Sequence, residues 1–332
     1  MQKVEMRKAL FWEARDDGRV ECRLCPHHCL IAQGKQGICL GRRNEGGVLY
    51  AANYGRTTSL ALDPIEKKPL YHFHPGTGIL SIAPNGCNFA CPFCQNWQIS
   101  QKESPTEEIT PQELVDLARG RDSVGVAYTY TEPLIWYEFL LDACSVVREH
   151  RLSNVLVTNG MIEEEPLRQL LPLIDAMNID LKSMDESFYK KVVKGNLESV
   201  LRTIRLAKES CHVELTHLVV PGATDSPEQI NRLIDWIVEL GDDTPVHFSR
   251  YFPHYNYDVP ATPVETLVEI WNRARERLRF VYLGNIAIEG SSDTVCPRCG
   301  VTAVRRSYYS VDLSGLSNGR CGACGADLNI VR

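Results

Sequence analysis

Three closely spaced cysteines constrain this 332-residue chain more than any other feature of its sequence. Cys87, Cys91 and Cys94 follow the apolar stretch 79–83 in the spacing CxxxCxxC. Three thiolates on one loop can ligate three irons of a four-iron, four-sulfur (4Fe-4S) cluster and leave the fourth iron open to another ligand. The next cysteine, Cys144, lies in a helix-like stretch far along the chain. This cluster loop (residues 86–96) therefore predicts a catalytic cluster, and an ordinary cysteine-rich loop or half of a zinc site is the less favoured alternative.

Eleven of the 13 cysteines fall into three groups, which favours metal ligation over disulfide bonds. The groups are Cys22, Cys25, Cys29 and Cys39; then Cys87, Cys91 and Cys94; then Cys296, Cys299, Cys321 and Cys324. Cys144 and Cys211 lie outside them, and we expect both to be core residues. The sequence starts without an evident signal peptide, so we expect a cytoplasmic protein whose thiols stay reduced.

The first cysteine group predicts a metal-binding segment over residues 1–60. A CxxC pair is followed by Cys29 and Cys39, and two glycines nearby permit the tight turns that convergence on one metal requires. Spacing alone does not separate tetrahedral zinc from a second iron-sulfur cluster. His27 and His28 could also act as ligands, although exposed loop histidines are the simpler interpretation.

The last cysteine group predicts a zinc ribbon over residues 291–332. Cys296 and Cys299 form one CxxCG knuckle, and Cys321 and Cys324 form a second, with short β-like runs between them. Paired knuckles of this kind present four thiolates to one ion. Because so short a segment buries little core of its own, we expect the metal to be its main source of stability.

Between these ends, residues 61–290 alternate apolar strands with amphipathic helices, which predicts an α/β domain with a parallel sheet. The predicted strands cover residues 79–83, 124–130, 154–158, 176–181, 213–220, 245–249 and 280–284. Thr110, Ser226 and Thr262 each precede a proline and are predicted to cap a helix. Residues 62–73, with two prolines and four charges, are predicted to form an irregular connector. Six or seven units are too few for a closed eight-fold barrel, so we expect a partial, open (β/α)6-type barrel.

Polar side chains follow these strands at their C-terminal ends, where parallel barrels gather their chemistry. They are Glu132, Asn159, Asp180, Lys182, Arg250 and His254. Each alone is a common turn or edge residue, but together, beside an open-iron loop, they favour a cofactor cleft. We expect Glu132, Asp180 and Lys182 to be functional, and leave the roles of Arg250 and His254 open. His247 lies inside the sixth strand and is either a core histidine or a substrate contact.

Composition and charge exclude some functions. With 44% hydrophobic and 23% charged residues the chain is typical of a globular protein, and it contains no apolar run long enough to span a membrane. The net charge of −6 combines an acidic middle with two basic ends. The acidic middle argues against a nucleic-acid channel, while the basic ends allow a weak contact with an acidic partner.

These motifs together resemble the radical S-adenosylmethionine (SAM) enzymes of the pyruvate formate-lyase activating enzyme type. The residues that carry the resemblance are the cluster loop, Thr131-Glu132-Pro133, Thr158-Asn159-Gly160, Asp180-Leu181-Lys182 and Val220-Pro221-Gly222. The two terminal cysteine groups, the stretch 64–70 and the run 128–133 narrow the resemblance to the AmmeMemoRadiSam system radical SAM enzymes. Two positions depart from the activating enzymes: Val157 replaces an acidic residue, and Tyr130-Thr131 replaces Gly-Gly.

The resemblance implies a mechanism. The three loop cysteines hold the cluster, whose open iron binds SAM. Reductive cleavage then gives methionine and a 5′-deoxyadenosyl radical, which abstracts hydrogen from a small molecule or from the backbone of a glycyl radical enzyme. Glu132 would bind the methionine amine, Asp180 and Lys182 would lie near SAM, and Asn159 would line the cleft. A ferredoxin or flavodoxin would donate the electron. The alternative is an iron-sulfur electron-transfer or scaffold protein that docks a partner through its zinc ribbon.

Overall fold

The computed structural model of this protein describes residues 7–332. Small sheets near both ends of the chain flank one large central sheet. The strands are β1 (Arg7–Lys8), β2 (Trp12–Ala14), β3 (Val20–Cys22), β4 (Leu30–Ile31), β5 (Arg42–Glu45), β6 (Val48–Ala51), β7 (Arg56–Thr57), β8 (Ser59–Pro64), β9 (Gly78–Ala83), β10 (Glu107–Glu108), β11 (Gly125–Tyr128), β12 (Ser153–Thr158), β13 (Ala176–Asp180), β14 (His212–Val219), β15 (Val246–Arg250), β16 (Val281–Gly284), β17 (Thr294–Val295), β18 (Thr302–Ser307), β19 (Ser310–Asp312), β20 (Leu316–Ser317) and β21 (Arg320–Cys321).

Helices pack against the central sheet and connect its strands. The α-helices are α1 (Trp97–Ser100), α2 (Pro111–Gly120), α3 (Tyr137–Glu149), α4 (Glu164–Leu170), α5 (Glu186–Phe188), α6 (Leu197–Lys208), α7 (Pro227–Gly241) and α8 (Val264–Arg275). Shorter turns are the 3₁₀ segments Ile65–Lys67, Pro133–Trp136 and Leu171–Leu173 and the π-helical turn Tyr189–Val193. Among residues 7–332, every helix falls short of the length and apolar character that crossing a membrane requires.

The central sheet has the strand order β16-β15-β14-β13-β12-β11-β9-β8. Seven strands, β9 and β11 to β16, pair in parallel, and helices connect them one after another. The two edge strands do not pair with each other, so the sheet is open. The predictions of an α/β fold and of seven parallel strands are therefore confirmed. The strands are buried along most of their length, as expected for a sheet covered on both faces.

The predicted connector over residues 62–73 is partly wrong, because its first residues belong to β8. This strand runs antiparallel to β9 along the edge of the sheet, and it spans the predicted domain boundary at residue 60. The charges of this connector are buried in part: the Lys68 Nζ atom lies 2.6 Å from Asp63 Oδ2, and both residues are less than a tenth exposed. Pairing removes the cost of burying either charge alone.

The three predicted helix caps differ in the structure. Thr110 forms a complete capping box with Glu113 at the start of α2, and the Ser226 hydroxyl accepts a hydrogen bond from the Gln229 amide at the start of α7. The prediction for Thr262 is wrong, since α8 begins at Val264 without a side-chain cap. The Thr262 hydroxyl instead donates to the Val219 carbonyl at 2.6 Å, and this bond ties the loop to β14.

The N-terminal segment (residues 7–60) packs against the C-terminal edge of the parallel strands. The backbone amide of Glu163 donates to the Leu24 carbonyl at 3.0 Å. Gly86, which opens the cluster loop, lies so close to Cys39 that a Cβ at this position would come within 2.0 Å of the Cys39 carbonyl oxygen. The N-terminal cysteines are therefore direct neighbours of the cluster loop.

The C-terminal ribbon (residues 291–332) packs against the sheet at the other end of the parallel strands, opposite the cluster loop. Its Val331 amide donates to the His72 carbonyl at 2.8 Å, and the His72 ring pairs with the Leu328 carbonyl at the same distance. Phe280 and Tyr282, at the start of β16, form a shared apolar cluster with ribbon residues. The ribbon therefore covers the end of the sheet that lies away from the cluster loop.

Candidate functional site

The cluster loop follows the C-terminal end of β9, and polar hydrogens point at its sulfurs. The Phe89 amide lies 3.3 Å from Cys87 Sγ, and the Asn159 side-chain amide lies 3.7 Å from the same sulfur. The Ser100 hydroxyl lies 3.2 Å from Cys94 Sγ. Hydrogen bonds to ligand sulfurs stabilise negative charge on an iron-sulfur cluster and tune its potential. These donors would therefore stabilise negative charge on the sulfurs of the loop.

The spacing of the loop sulfurs fits a cluster better than a single ion. Among residues 7–332, only the C-terminal cysteines form a group of three or more potential ligand atoms that all lie within 4.8 Å of one another. Cys87, Cys91 and Cys94 are therefore spread more widely than the ~3.8 Å between sulfurs that a tetrahedral zinc ion with 2.3 Å bonds requires. Burial raises the pKa of Cys91 to about 12, so a metal must displace the proton before this thiol can act as a thiolate.

Glu132 follows β11 and links two strand ends. Its carboxylate accepts hydrogen bonds from the Thr158 hydroxyl at 2.6 Å and from the backbone amides of Asn159 at 2.8 Å and Leu134 at 2.9 Å. Burial raises the pKa of Glu132 to about 7 in spite of these donors. This geometry makes Glu132 a positioning residue, and its predicted contact with a ligand ammonium stays a prediction.

Asn159 lies beside the cluster loop, at the end of β12. Its side-chain amide donates to the Asn88 side-chain oxygen at 2.8 Å, and its own side-chain oxygen accepts from the Met161 amide at 2.9 Å. Asn88 in turn donates to the Met161 carbonyl at 2.8 Å. Sequence reasoning missed Asn88, although its position between the first two loop cysteines was a possible signal.

Asp180 and Lys182 end β13 as an ion pair with 2.9 Å between Lys182 Nζ and Asp180 Oδ2. Burial on its own would lower the pKa of the Lys182 ammonium, but Asp180 and the neighbouring Cys91 raise it above its ordinary value. A positive charge beside Cys91 favours negative charge on the Cys91 sulfur. The structure thus brings both predicted residues to the cluster loop.

The loop rests on the segment after β13. The Ala90 amide donates to the Val193 carbonyl at 2.9 Å, at the end of the π-helical turn. Phe89 packs so closely on Gly195 that a Cβ there would come within 2.5 Å of the Phe89 ring. Phe93, between the second and third cysteines, is buried against aromatic rings that include Phe188.

The loop after β15 covers another side of the cluster loop. The Asn256 amide donates to the Pro92 carbonyl at 2.9 Å, and the His254 ring lies 3.2 Å from the Gln95 carbonyl. Arg250 donates from Nε to the Thr262 carbonyl at 2.9 Å. His254 and Arg250 therefore hold loop backbone in place.

His247 is a core histidine, which was one of its two predicted roles. It is 2% exposed, and its Nε2 atom lies 2.7 Å from Glu214 Oε2. The carboxylate of Glu214 also pairs with His212 and accepts from the His72 amide at 2.7 Å. This network lies in the first half of β14 and β15, away from the strand ends that surround the cluster loop.

The terminal cysteine groups differ in geometry. In the C-terminal ribbon, Cys296 and Cys324 lie 3.6 Å apart at their sulfurs, as do Cys299 and Cys321. These four sulfurs meet the spacing of a tetrahedral metal site. The N-terminal group has a different spacing of its sulfurs. Its members Cys22, Cys25, Cys29 and Cys39 line one cavity, but no three of their sulfurs lie within 4.8 Å of one another.

Comparisons with known proteins show what the chain is similar to. The Radical SAM superfamily model matches residues 81–237. The chain is similar to the uncharacterized protein MJ0808 of Methanocaldococcus jannaschii, with 47% identity over 335 residues that cover 98% of this chain and 100% of the relative. It is also similar to the pyruvate formate-lyase 1-activating enzyme of Escherichia coli, with 24% identity over 50% of this chain and 71% of that enzyme.

Among solved structures, a radical SAM methyltransferase from Sphaerobacter thermophilus resembles the chain with a TM-score of 0.52 and 14% identity. The match covers 85% of this chain and 78% of that structure. At this identity the likeness concerns the fold alone.

Proposed function

Since this chain belongs to the radical SAM superfamily, we propose that it is an enzyme that holds a 4Fe-4S cluster at Cys87, Cys91 and Cys94 and abstracts hydrogen from a substrate. The observation that carries this proposal is a loop of three spread thiols whose sulfurs receive polar hydrogens, at the C-terminal edge of a parallel sheet. When bound, the cluster supplies the electron that cleaves SAM to methionine and a 5′-deoxyadenosyl radical.

The residues around the loop would orient the cofactors and balance their charge. Asn159 and Ser100 would donate to the cluster's cysteine sulfurs, and Lys182 would offset the negative charge near Cys91. Glu132 would hold the end of β12 in place so that Asn159 faces Cys87. A contact of Glu132 with the methionine ammonium would use the remaining lone pairs of its carboxylate.

The finer assignments rest on sequence motifs and on relatives. The similarity to a pyruvate formate-lyase activating enzyme supports a partner enzyme's backbone as substrate, and a small molecule is the second candidate. The two terminal cysteine groups support the AmmeMemoRadiSam branch. A ferredoxin or flavodoxin in the cytoplasm would supply the electron. The sulfur spacing in the C-terminal ribbon supports zinc there.

SAM cleavage tests this function directly. Protein reconstituted anaerobically with iron and sulfide, then reduced with dithionite, should release 5′-deoxyadenosine and methionine from SAM. We expect Cys94→Ala to lower this release at least 100-fold, since the cluster loses one of its three ligands. Cys144→Ala is the matched control, because Cys144 is buried in the core, and it should release 5′-deoxyadenosine at the wild-type rate.

The same assay separates the enzyme from an electron-transfer or scaffold protein. No release from the fully reconstituted wild-type protein under strong reduction would contradict the proposed function. Where release occurs, transfer of deuterium from a labelled candidate substrate into 5′-deoxyadenosine would identify the hydrogen donor.

A further inference from the structure

A cavity in the N-terminal segment carries a second inference, independent of SAM cleavage. All four cysteines of this segment line it. Apart from Arg42 and Asn88, the side chains that complete the wall are apolar, including Leu24, Ile31 and Leu134. Four thiols that converge on one cavity among apolar walls indicate a buried metal group.

The distances between sulfurs separate the kinds of metal group. The C-terminal ribbon of the same chain serves as an internal reference, because its four sulfurs all lie within 4.8 Å of one another. No three sulfurs of the N-terminal group meet that limit. One ion draws four thiolates together, whereas a cluster with one iron for each cysteine keeps them apart. The wider spacing therefore favours a cluster of several irons over zinc.

The buried positive charge of Arg42 at the cavity wall also favours an iron-sulfur cluster. Arg42 is 1% exposed, and its Nη1 atom donates to Glu138 Oε1 at 2.7 Å. Its Nε and Nη2 atoms have no hydrogen-bond partner among residues 7–332, although the side chain lines the cavity. Buried N–H groups without a partner are costly. An anionic group in the cavity would satisfy them, and a 4Fe-4S cluster with four thiolates is such a group.

We propose that Cys22, Cys25, Cys29 and Cys39 ligate a second 4Fe-4S cluster, and that Arg42 donates hydrogen bonds to its sulfurs. Each iron of this cluster has a protein thiolate, so it has no open position for SAM. The site adjoins the cluster loop, since the His27 ring lies 2.7 Å from the Asn88 carbonyl and Asn88 also lines the cavity. Two clusters of different ligation would then share one protein wall.

Metal analysis in a chain without the loop cysteines tests the proposal. The triple variant with Cys87→Ala, Cys91→Ala and Cys94→Ala, reconstituted anaerobically, should retain about four irons per chain with the Mössbauer doublet of an oxidised 4Fe-4S cluster. Adding Cys22→Ala and Cys39→Ala should remove that iron. The zinc of the C-terminal ribbon should persist in both variants and serve as a check that the chain is folded.

Two outcomes would overturn the assignment: a second zinc in the triple variant in place of iron, or a triple variant that retains its ribbon zinc but holds neither iron nor a second zinc. These readouts do not depend on SAM cleavage, so failure of this proposal and failure of the proposed function are distinguishable.

The role of Arg42 has its own test in the triple variant. Changing Arg42→Met together with Glu138→Gln removes both charges of the buried pair. Because reduction adds negative charge to the cluster, loss of the guanidinium should shift its reduction potential to a more negative value. Loss of the Glu138 carboxylate acts in the opposite direction but more weakly, since Arg42 lines the cavity and Glu138 does not. Arg43→Met, at a half-exposed neighbour, is the matched control and should leave the potential unchanged. An unchanged potential in the Arg42→Met, Glu138→Gln protein, with iron retained, would refute the contact.

Discussion

The two terminal cysteine segments contribute four thiols each, yet they differ in spacing and in place. The ribbon sulfurs lie close enough for one ion, and the ribbon covers the sheet edge away from the cluster loop. The N-terminal sulfurs are spread around a cavity that borders the cluster loop. The number of thiols is the same in both, so the three-dimensional spacing of the sulfurs and their position in the fold are what distinguish the two groups.

Each segment also contains one buried arginine, and the two arginines are satisfied differently. Arg306 donates to the carbonyls of Tyr71 at 2.6 Å and Ser292 at 3.0 Å, and its guanidinium lies 4.4 Å from the centre of the Tyr71 ring. Arg42 has one acidic partner and two unpaired nitrogens. The protein itself therefore takes most of the Arg306 donors, and only its Nε atom lacks a hydrogen bond, 3.9 Å from Glu66 Oε1. Arg42 has two unpaired nitrogens and lines a cavity, so it has more donors left for a ligand.

The largest effect is expected where the N-terminal segment meets the cluster loop. Gly86→Ala would place a Cβ 2.0 Å from the Cys39 carbonyl oxygen, at a φ of +105° that disfavours alanine. We expect a loss of about 4 kcal/mol in the free energy of unfolding. On the proposed metal assignments, iron should fall at both cysteine groups while the zinc content stays the same. Gly120→Ala, which meets nothing within 4 Å, is the control. Wild-type iron content in Gly86→Ala would contradict the prediction that the two sites depend on each other.

At the ribbon, Arg306→Met should lower the free energy of unfolding by about 3 kcal/mol, because it removes buried hydrogen bonds and a cation–π contact. The exposed neighbour Arg305→Met should change it by less than about 0.5 kcal/mol. Urea unfolding of the metal-loaded proteins measures both. Iron content should not change in either variant, and a loss of iron in Arg306→Met would mean that the two ends are not independent.

Acid should weaken the ribbon contact by a smaller amount. Burial lowers the pKa of His72 to about 3, although Glu214 nearby opposes this shift and His212 and Arg306 add to it. Below the unfolded value of 6.5 the unfolded chain binds the proton and the folded chain does not, so stability falls as the pH falls. Between pH 7 and pH 5 the contribution is about 2 kcal/mol.

Urea midpoints at pH 7, 6 and 5 test this contribution. His72→Asn should be less stable at pH 7 but should show a shallower loss toward pH 5 than the wild-type protein. If the urea midpoint falls equally with pH in the two proteins, His72 is not the source of the acid destabilisation. His150→Gln, a change at a partly exposed helix end far from the ribbon in sequence, should keep the wild-type slope.

The parallel strands were predictable because each is an apolar run bounded by turn residues, and all seven lie within two residues of their predicted bounds. The antiparallel strand β8 was not, because the prolines and charges of residues 62–73 suggested an irregular connector. Asp63 is buried against Lys68, which follows β8 in the chain, and hydrogen-bonds with Tyr130, whose partnership no local pattern reveals. The prediction that Thr262 caps a helix was wrong for a related reason. Its hydroxyl donates to a backbone carbonyl of β14 and does not cap α8.

For the candidate site, spacing singled out the three loop cysteines, and strand ends singled out Asn159, Asp180 and Lys182, which the structure brings near them. The hydrogen-bond donors that support the loop could not be predicted from the sequence. Asn88 acts through contacts with residues about 70 positions away. Arg42 lay within a polar, glycine-containing stretch, and only its burial beside Glu138, some 96 positions on, gives it meaning.

The π-helical turn Tyr189–Val193 has a consequence for the comparison of related sequences. It ends with the Val193 carbonyl accepting the Ala90 amide of the cluster loop. Loss of one residue from this turn would rotate the residues after it by about 100° and carry that carbonyl away from Ala90. An insertion or deletion at this turn, about a hundred positions after the cysteines, would thus signal a relative whose cysteine loop is supported in another way.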